Sequence, residues 1–216
     1  PHGLIRYVTF PDGQPQGELT SAQIESMKDA VRGQMEYGTI GLSTGLEYVP
    51  GSYAHTPELV ELAKVVRKHS GLYTSHTRDQ TGTGMRPTNM LVPTFDMGVL
   101  GSIDEAIYIG IEADIPVHVS HLQVTLPWRD LEGHQMADLI LEKIENARQG
   151  PHAIDITGCI HTYNRGWGPL NYRLPQKYKE MNGIKEEYKS GPGRVKVTQA
   201  TEEVFKYVPA EQTWIC

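Results

Sequence analysis

Cysteine is scarce in this chain. It holds two, Cys159 and Cys216, which excludes a disulfide framework and fits a reducing compartment, expected to be the cytoplasm. Positive charge is outweighed too: a net charge of −6 and a pI near 5.8 argue against nucleic acid or an acidic membrane surface as partner. No apolar run approaches the ~20 residues of a membrane span, so no membrane partner is expected either. A secretory signal is lacking, and the chain begins at Pro1 rather than Met, so its first residue is not expected to be a translation start. No internal repeat stands out. With 38% hydrophobic and 21% charged residues there is no disordered bias, and 216 residues suffice for one domain with a sizeable core.

What the chain does have is alternation. Ile24, Met27, Val31 and Met35 recur at helical spacing between Ser21 and Gly38, and Thr39 to Thr44 then reads as a buried strand. Thr56-Pro57-Glu58 opens the next helix, with Thr56 as its N-cap, Pro57 in the first turn and Glu58 facing the positive helix end. Leu59, Leu62, Ala63 and Val66 form its apolar stripe and Gly71 stops it, just before a strand from Leu72 to His76. After a long loop, Ser102 and Glu105 form a capping-box pattern ahead of a helix bearing Ile103, Ala106, Ile107 and Gly110. Strand Pro116 to His121 follows, then a helix with Met136, Leu139, Ile140 and Ile144, and a strand from Ala153 to Thr157.

Such alternation predicts an α/β fold with a parallel sheet and right-handed crossovers. A closed (β/α)8 barrel needs eight such units in ~250 residues, and this chain supplies about four, or five if Val195–Thr198 is a strand. The expected fold is a partial TIM-type barrel in one domain over 1–216, with 159–216 poorly patterned. The loop from Asp79 to Gly101 is longer than most βα connections; it reads equally as a lid over a site or as an insertion with no part in chemistry.

Two strands end on histidine preceded by serine: Tyr73-Thr74-Ser75-His76 and Val117-His118-Val119-Ser120-His121. Barrel enzymes place metals and substrates at the C-terminal ends of their strands, and two neutral imidazoles there can hold Zn²⁺ beside an open position for water. Spacing alone leaves ligation and a packing role both open. His118 reads as a packing residue, and His2, His55, His69, His134 and His152 as surface or cap residues. Cys159 and His161 at the last strand end read as structural. Arg78 and Asp79 either orient His76 or pair with each other at the rim. Trp128, Trp167 and Trp214 read as packing residues, since no basic stripe accompanies them. Gly82-Thr83-Gly84 is too short for a phosphate loop.

Several strings then occur in order: Ile40-Gly41-Leu42-Ser43-Thr44-Gly45-Leu46-Glu47-Tyr48-Val49-Pro50-Gly51-Ser52-Tyr53-Ala54, Thr56-Pro57-Glu58-Leu59, Ser75-His76-Thr77-Arg78-Asp79, Ile103-Asp104-Glu105-Ala106-Ile107 and Ser120-His121-Leu122. Together they resemble the N-acyl-D-amino-acid deacylases, or D-aminoacylases, of the amidohydrolase superfamily. The likeness is close over Gln23 to Gln123 and weaker to about Leu174, and His2-Gly3-Leu4-Ile5-Arg6 is similar to the segment preceding this block in the family. The resemblance implies a (β/α)8 barrel that uses a zinc-activated water to hydrolyse the amide of an N-acyl-D-amino acid, a carbon-nitrogen bond that is not a peptide bond. It implies that His76 and His121 are the metal ligands, and that the substrate side includes Tyr48 together with the positions of Gln123 and Tyr163.

The departures bound that expectation. The family's His-x-His pair and early cysteine ligand are absent and would precede Pro1, and its general-base aspartate would follow Cys216, so no catalytic residue is assigned here. The lysine that usually follows Ser-His-Leu is Gln123, which removes a cation suited to a substrate carboxylate. The Ala-Asp-x-Tyr-Pro-Tyr pattern survives only as the Tyr163 aromatic in Gly158-Cys159-Ile160-His161-Thr162-Tyr163. The chain is therefore expected to be an internal portion of such an enzyme, inactive alone. The alternatives are a related zinc amidohydrolase acting on cyclic amides and a non-catalytic fragment or remnant without the full metal site.

Overall fold

In the computed structural model, residues 1–10, 15–16, 18–80, 98–122 and 133–160 are described. The expected strand Val195–Thr198, the three tryptophans and most of the long loop after Asp79 lie outside them. Among the described residues, five helices and four strands run in the order α1 His2–Thr9, α2 Ser21–Glu36, β1 Gly41–Gly45, α3 Thr56–Lys68, β2 Leu72–His76, α4 Val99–Ala113, β3 Val117–Ser120, α5 Gly133–Gln149 and β4 Ile156–Gly158. A single 3-10 turn, Gly51–Tyr53, precedes α3.

The strands form one parallel sheet in sequential order, β1-β2-β3-β4, so the α/β reading with four parallel βα units holds. Sequential order with same-handed crossovers puts α3, α4 and α5 along one face. That face is where the apolar residues go. Leu42, Tyr73, Val117 and Val119 point into it and are buried with Leu59 and Leu62 of α3, Ile103 and Ile109 of α4, and Ile140 of α5. The alternate strand residues Ser43, Thr74, His118 and Ser120 are half-buried on the other face, where Thr74 Oγ1 and Ser120 Oγ are 3.2 Å apart. The two faces thus separate an apolar helix side from a polar interior side, as a barrel wall does. Register pairs Gly45 with His76 and His76 with Ser120, which brings three strand ends to one level. Gly41 permits this approach, because a Cβ there would lie 2.1 Å from the Leu72 carbonyl oxygen. Among the described residues no helix is long and apolar enough to cross a membrane.

Several local expectations change. α3 begins one residue earlier than a Thr56 cap requires: its N-cap is His55, without a side-chain cap bond. The Thr56 hydroxyl instead donates to Glu105 Oε1 at 2.7 Å. Ser102 and Glu105 are not a capping box either; α4 starts a turn earlier, at Val99 after Gly98 (φ 107°), and carries both residues on one face. The genuine capping box belongs to α2, where Thr20 and Gln23 bond reciprocally. His2 is not a surface residue but fully buried in α1, a helix the hydrophobic pattern does not announce. Its Nε2 meets Glu58 Oε1 of α3 at 2.7 Å, and Arg6 bonds the other Glu58 oxygen. The helix is anchored through its polar side, while its apolar residues Leu4, Tyr7 and Val8 are exposed, so its pattern does not point to its contact.

Tyr73 is a titrating group fully buried on this face. Burial pushes its phenol up to about 12, against the partial relief of a hydrogen bond with Thr44 Oγ1 at 3.0 Å. A folded pKa above the unfolded value of 10.0 means that the unfolded chain loses its proton first. Stability is then intact below pH 10.0 and falls as pH rises toward about 12. Tyr73→Phe should remove up to about 2–3 kcal/mol of this alkaline loss while costing on the order of 1 kcal/mol at neutral pH; urea denaturation across pH 8–12 checks both.

Candidate metal centre

The loop that leaves β1 turns back at once over the end of β2. Leu46 N–H donates to the His76 carbonyl at 3.0 Å, extending the ladder by one bond past the strand. Glu47 and Tyr48 are thereby delivered to the His76 ring. Glu47 Oε2 lies 2.9 Å from His76 Nε2, and the Tyr48 ring sits against the imidazole with centroids 4.8 Å apart and planes tilted by 39°. The Val49–Pro50 peptide that follows is cis.

His121 reaches the same place by a different route. The chain leaves β3 after Ser120, and His121 adopts φ 60°, a left-handed conformation that disfavours most non-glycine residues by roughly 1–2 kcal/mol. Neighbours hold it there: Gln80 Nε2 donates to the His121 carbonyl at 2.7 Å, and His121 N–H donates to Cys159 Sγ at 3.4 Å. The result is an imidazole whose centroid lies 5.3 Å from that of His76, edge to face. Two imidazoles sharing one Zn²⁺ at ~2.1 Å through tetrahedral bonds have centroids about 5–5.5 Å apart. The donor set therefore fits two positions of such a site. Among the described residues, however, no group of three or more His, Cys, Asp or Glu could hold a metal ion.

Arg78 and Asp79, read as possible supports of His76, serve a neighbouring purpose. The Arg78 guanidinium is buried and bidentate to Glu105, with Nε to Oε2 at 2.9 Å and Nη2 to Oε1 at 2.8 Å. It also donates to the carbonyls of Ser52 and Ala54. Asp79 N–H donates to Ser102 Oγ at 2.9 Å. Burial pulls the Arg78 pKa down, but the charge and hydrogen bonds of Glu105 more than offset this, and the net shift is upward. The turn after β2 is thus fastened to α4 and to the loop before α3.

Tyr48, His76 and His121 are brought together; Gln123, Tyr163 and His161 lie outside the described residues. Cys159 is free and exposed. His118 Nδ1 meets Thr157 Oγ1 at 2.9 Å across the sheet, away from the imidazole pair. Sequence reasoning missed Glu47 and Gln80. Glu47 sits inside the quoted Gly45–Tyr48 string, and a carboxylate at a strand end beside a candidate ligand strand was the available signal.

The chain matches no family model. Its relatives are nonetheless coherent. Over 123 residues it is 31% identical to the D-aminoacylase of Alcaligenes xylosoxydans xylosoxydans, covering 57% of this chain and 22% of that protein. Over this stretch the chain is similar to a D-aminoacylase. From the same organism, N-acyl-D-glutamate deacylase is 27% identical over 186 residues, covering 85% of this chain and 32% of that one. Among solved structures, N-acyl-D-glutamate deacylase from Bordetella bronchiseptica, complexed with zinc and a phosphonate mimic of the tetrahedral intermediate, superposes with a TM-score of 0.61 at 28% identity. That match covers 76% of this chain and 30% of the deacylase. The chain therefore spans a third or less of the length of these D-aminoacylase relatives.

Breaking the buried pair should be costly. Arg78→Ala is expected to lower stability by about 3–5 kcal/mol, because Glu105 is left charged and dry. Arg78→Met combined with Glu105→Leu should recover much of that loss, as measured by chemical denaturation.

Proposed function

We propose that this chain supplies part of the barrel of a zinc-dependent deacylase acting on N-acyl-D-amino acids, with His76 and His121 as metal ligands and Tyr48, Gln123 and Tyr163 on the substrate side. One observation carries the reading: two imidazoles from adjacent parallel strand ends, 5.3 Å apart, in a chain related to D-aminoacylases. Zinc held there would supply Lewis acidity toward the amide carbonyl and toward water. The chain's own part is to present two neutral nitrogen donors at fixed separation and to wall one side of the site with the Tyr48 ring. Catalytic zinc sites typically use three protein ligands, so the third ligand and the general base come from outside the described residues. A reducing compartment, the cytoplasm, suits the free Cys159.

Gln123 favours keeping one second reading. A neutral amide where the family presents lysine suits a substrate without a free carboxylate, such as a cyclic amide. Turnover of a panel of N-acyl-D-amino acids against cyclic amides separates the two. In the full-length protein, His121→Ala should lower bound zinc, measured by mass spectrometry, and abolish deacylation of N-acetyl-D-amino acids. Undiminished zinc in that variant would make His121 a packing residue and sink the metal assignment.

A further inference from the structure

Glu47 has no role in the reading above, yet its carboxylate meets a ring nitrogen of a proposed ligand. Its carboxylate is 2.9 Å from His76 Nε2, with side-chain exposures of 6% for Glu47 and 17% for His76. Two constraints keep it there. The Leu46–His76 backbone bond fixes where the loop leaves β1, and the adjacent Tyr48 ring packs on the imidazole. The geometry points to Glu47 as the positioning residue of His76, holding the proton on Nε2 so that Nδ1 carries the lone pair offered to a cation.

The chemistry is simple. A carboxylate accepts hydrogen bonds and cannot donate them, so the nitrogen facing it must be N–H, and in a neutral imidazole the other nitrogen is then bare. A carboxylate on the far nitrogen also fixes ring orientation and raises the basicity of the ligating one, and loss of such a partner typically weakens metal binding by about 10–100-fold. No other side chain described near His76 fills this part. Arg78 is spent on Glu105, Ser52 and Ala54, and as a cation it would repel a metal rather than support its ligand. The inference rests on the metal reading for its affinity arm, but its proton arm needs no metal.

Long-range ¹⁵N–¹H correlation spectra of the histidine-labelled full-length protein, without metal, report which nitrogen of His76 is protonated. The native protein should show the Nε2–H form. Glu47→Ala should lose that preference, whereas Glu47→Gln, whose side-chain oxygen still accepts, should retain it. Zinc titrated against a chromophoric chelator should bind about 10–100-fold more weakly to Glu47→Ala, with a smaller loss in Glu47→Gln. A native Nδ1–H form, or Nε2–H persisting unchanged in Glu47→Ala, overturns the proposal. So does a loss of zinc in Glu47→Ala with the tautomer unaltered, which would make Glu47 a ligand itself. If the native protein binds no zinc while the tautomer responds as expected, the metal reading fails and the pairing of Glu47 with His76 stands.

Discussion

A guanidinium and a carboxylate out of reach of water must satisfy each other, and the mouth of this sheet is arranged around one such pair. Arg78 leaves the end of β2 and meets Glu105 of α4 through two hydrogen bonds. Two more of its donors are taken by carbonyls of the loop before α3, and Thr56 at the start of α3 donates to Glu105. Three segments distant in sequence are thus fixed to one point. A buried ion pair is weak evidence for stability, since apolar replacements of similar volume are often neutral or better. What it supplies is placement: with Glu105 facing Arg78, α4 is rotated so that Ser102 receives the Asp79 amide.

That placement passes to the imidazoles. The turn anchored by Arg78 carries Gln80, which grips the carbonyl of His121. His76 therefore sits at the end of regular β-structure, and His121 just beyond it on backbone that the neighbouring turn and Cys159 hold in position. Different means produce one result, two rings in edge-to-face contact above adjacent strands. Bringing Glu47 alongside required β1 and β2 to run close, which depends on the missing side chain at Gly41.

Much of the fold was legible because its signals are local and periodic. The stripe of Leu59, Leu62, Ala63 and Val66 and the β-branched runs before His76 and His121 announce helix and strands within a few residues of where they lie. What could not be read was the destination of polar side chains. Thr56, Ser102 and Glu105 all have the composition of helix caps, and all three are drawn instead to the Arg78 turn, because a buried charge outweighs a cap bond of roughly 1 kcal/mol. Helix α1 escaped notice for a related reason: His2 and Arg6 bury against Glu58, a contact 52 to 56 residues distant. The candidate site divides in the same way. His76 and His121 are marked by strand-end position, whereas Glu47 needs the β1–β2 register and Gln80 the fold of the turn, neither of which composition encodes.

The left-handed backbone at His121 has a consequence for how this position can change. Glycine reaches φ near 60° at no steric cost, whereas any side chain at position 121 carries a strain that its neighbours must offset. Selection for folding alone would thus push position 121 away from an imidazole, while any demand for a nitrogen donor pushes it back. The two pressures are opposed at a single residue, where glycine would relieve the backbone only by removing the imidazole.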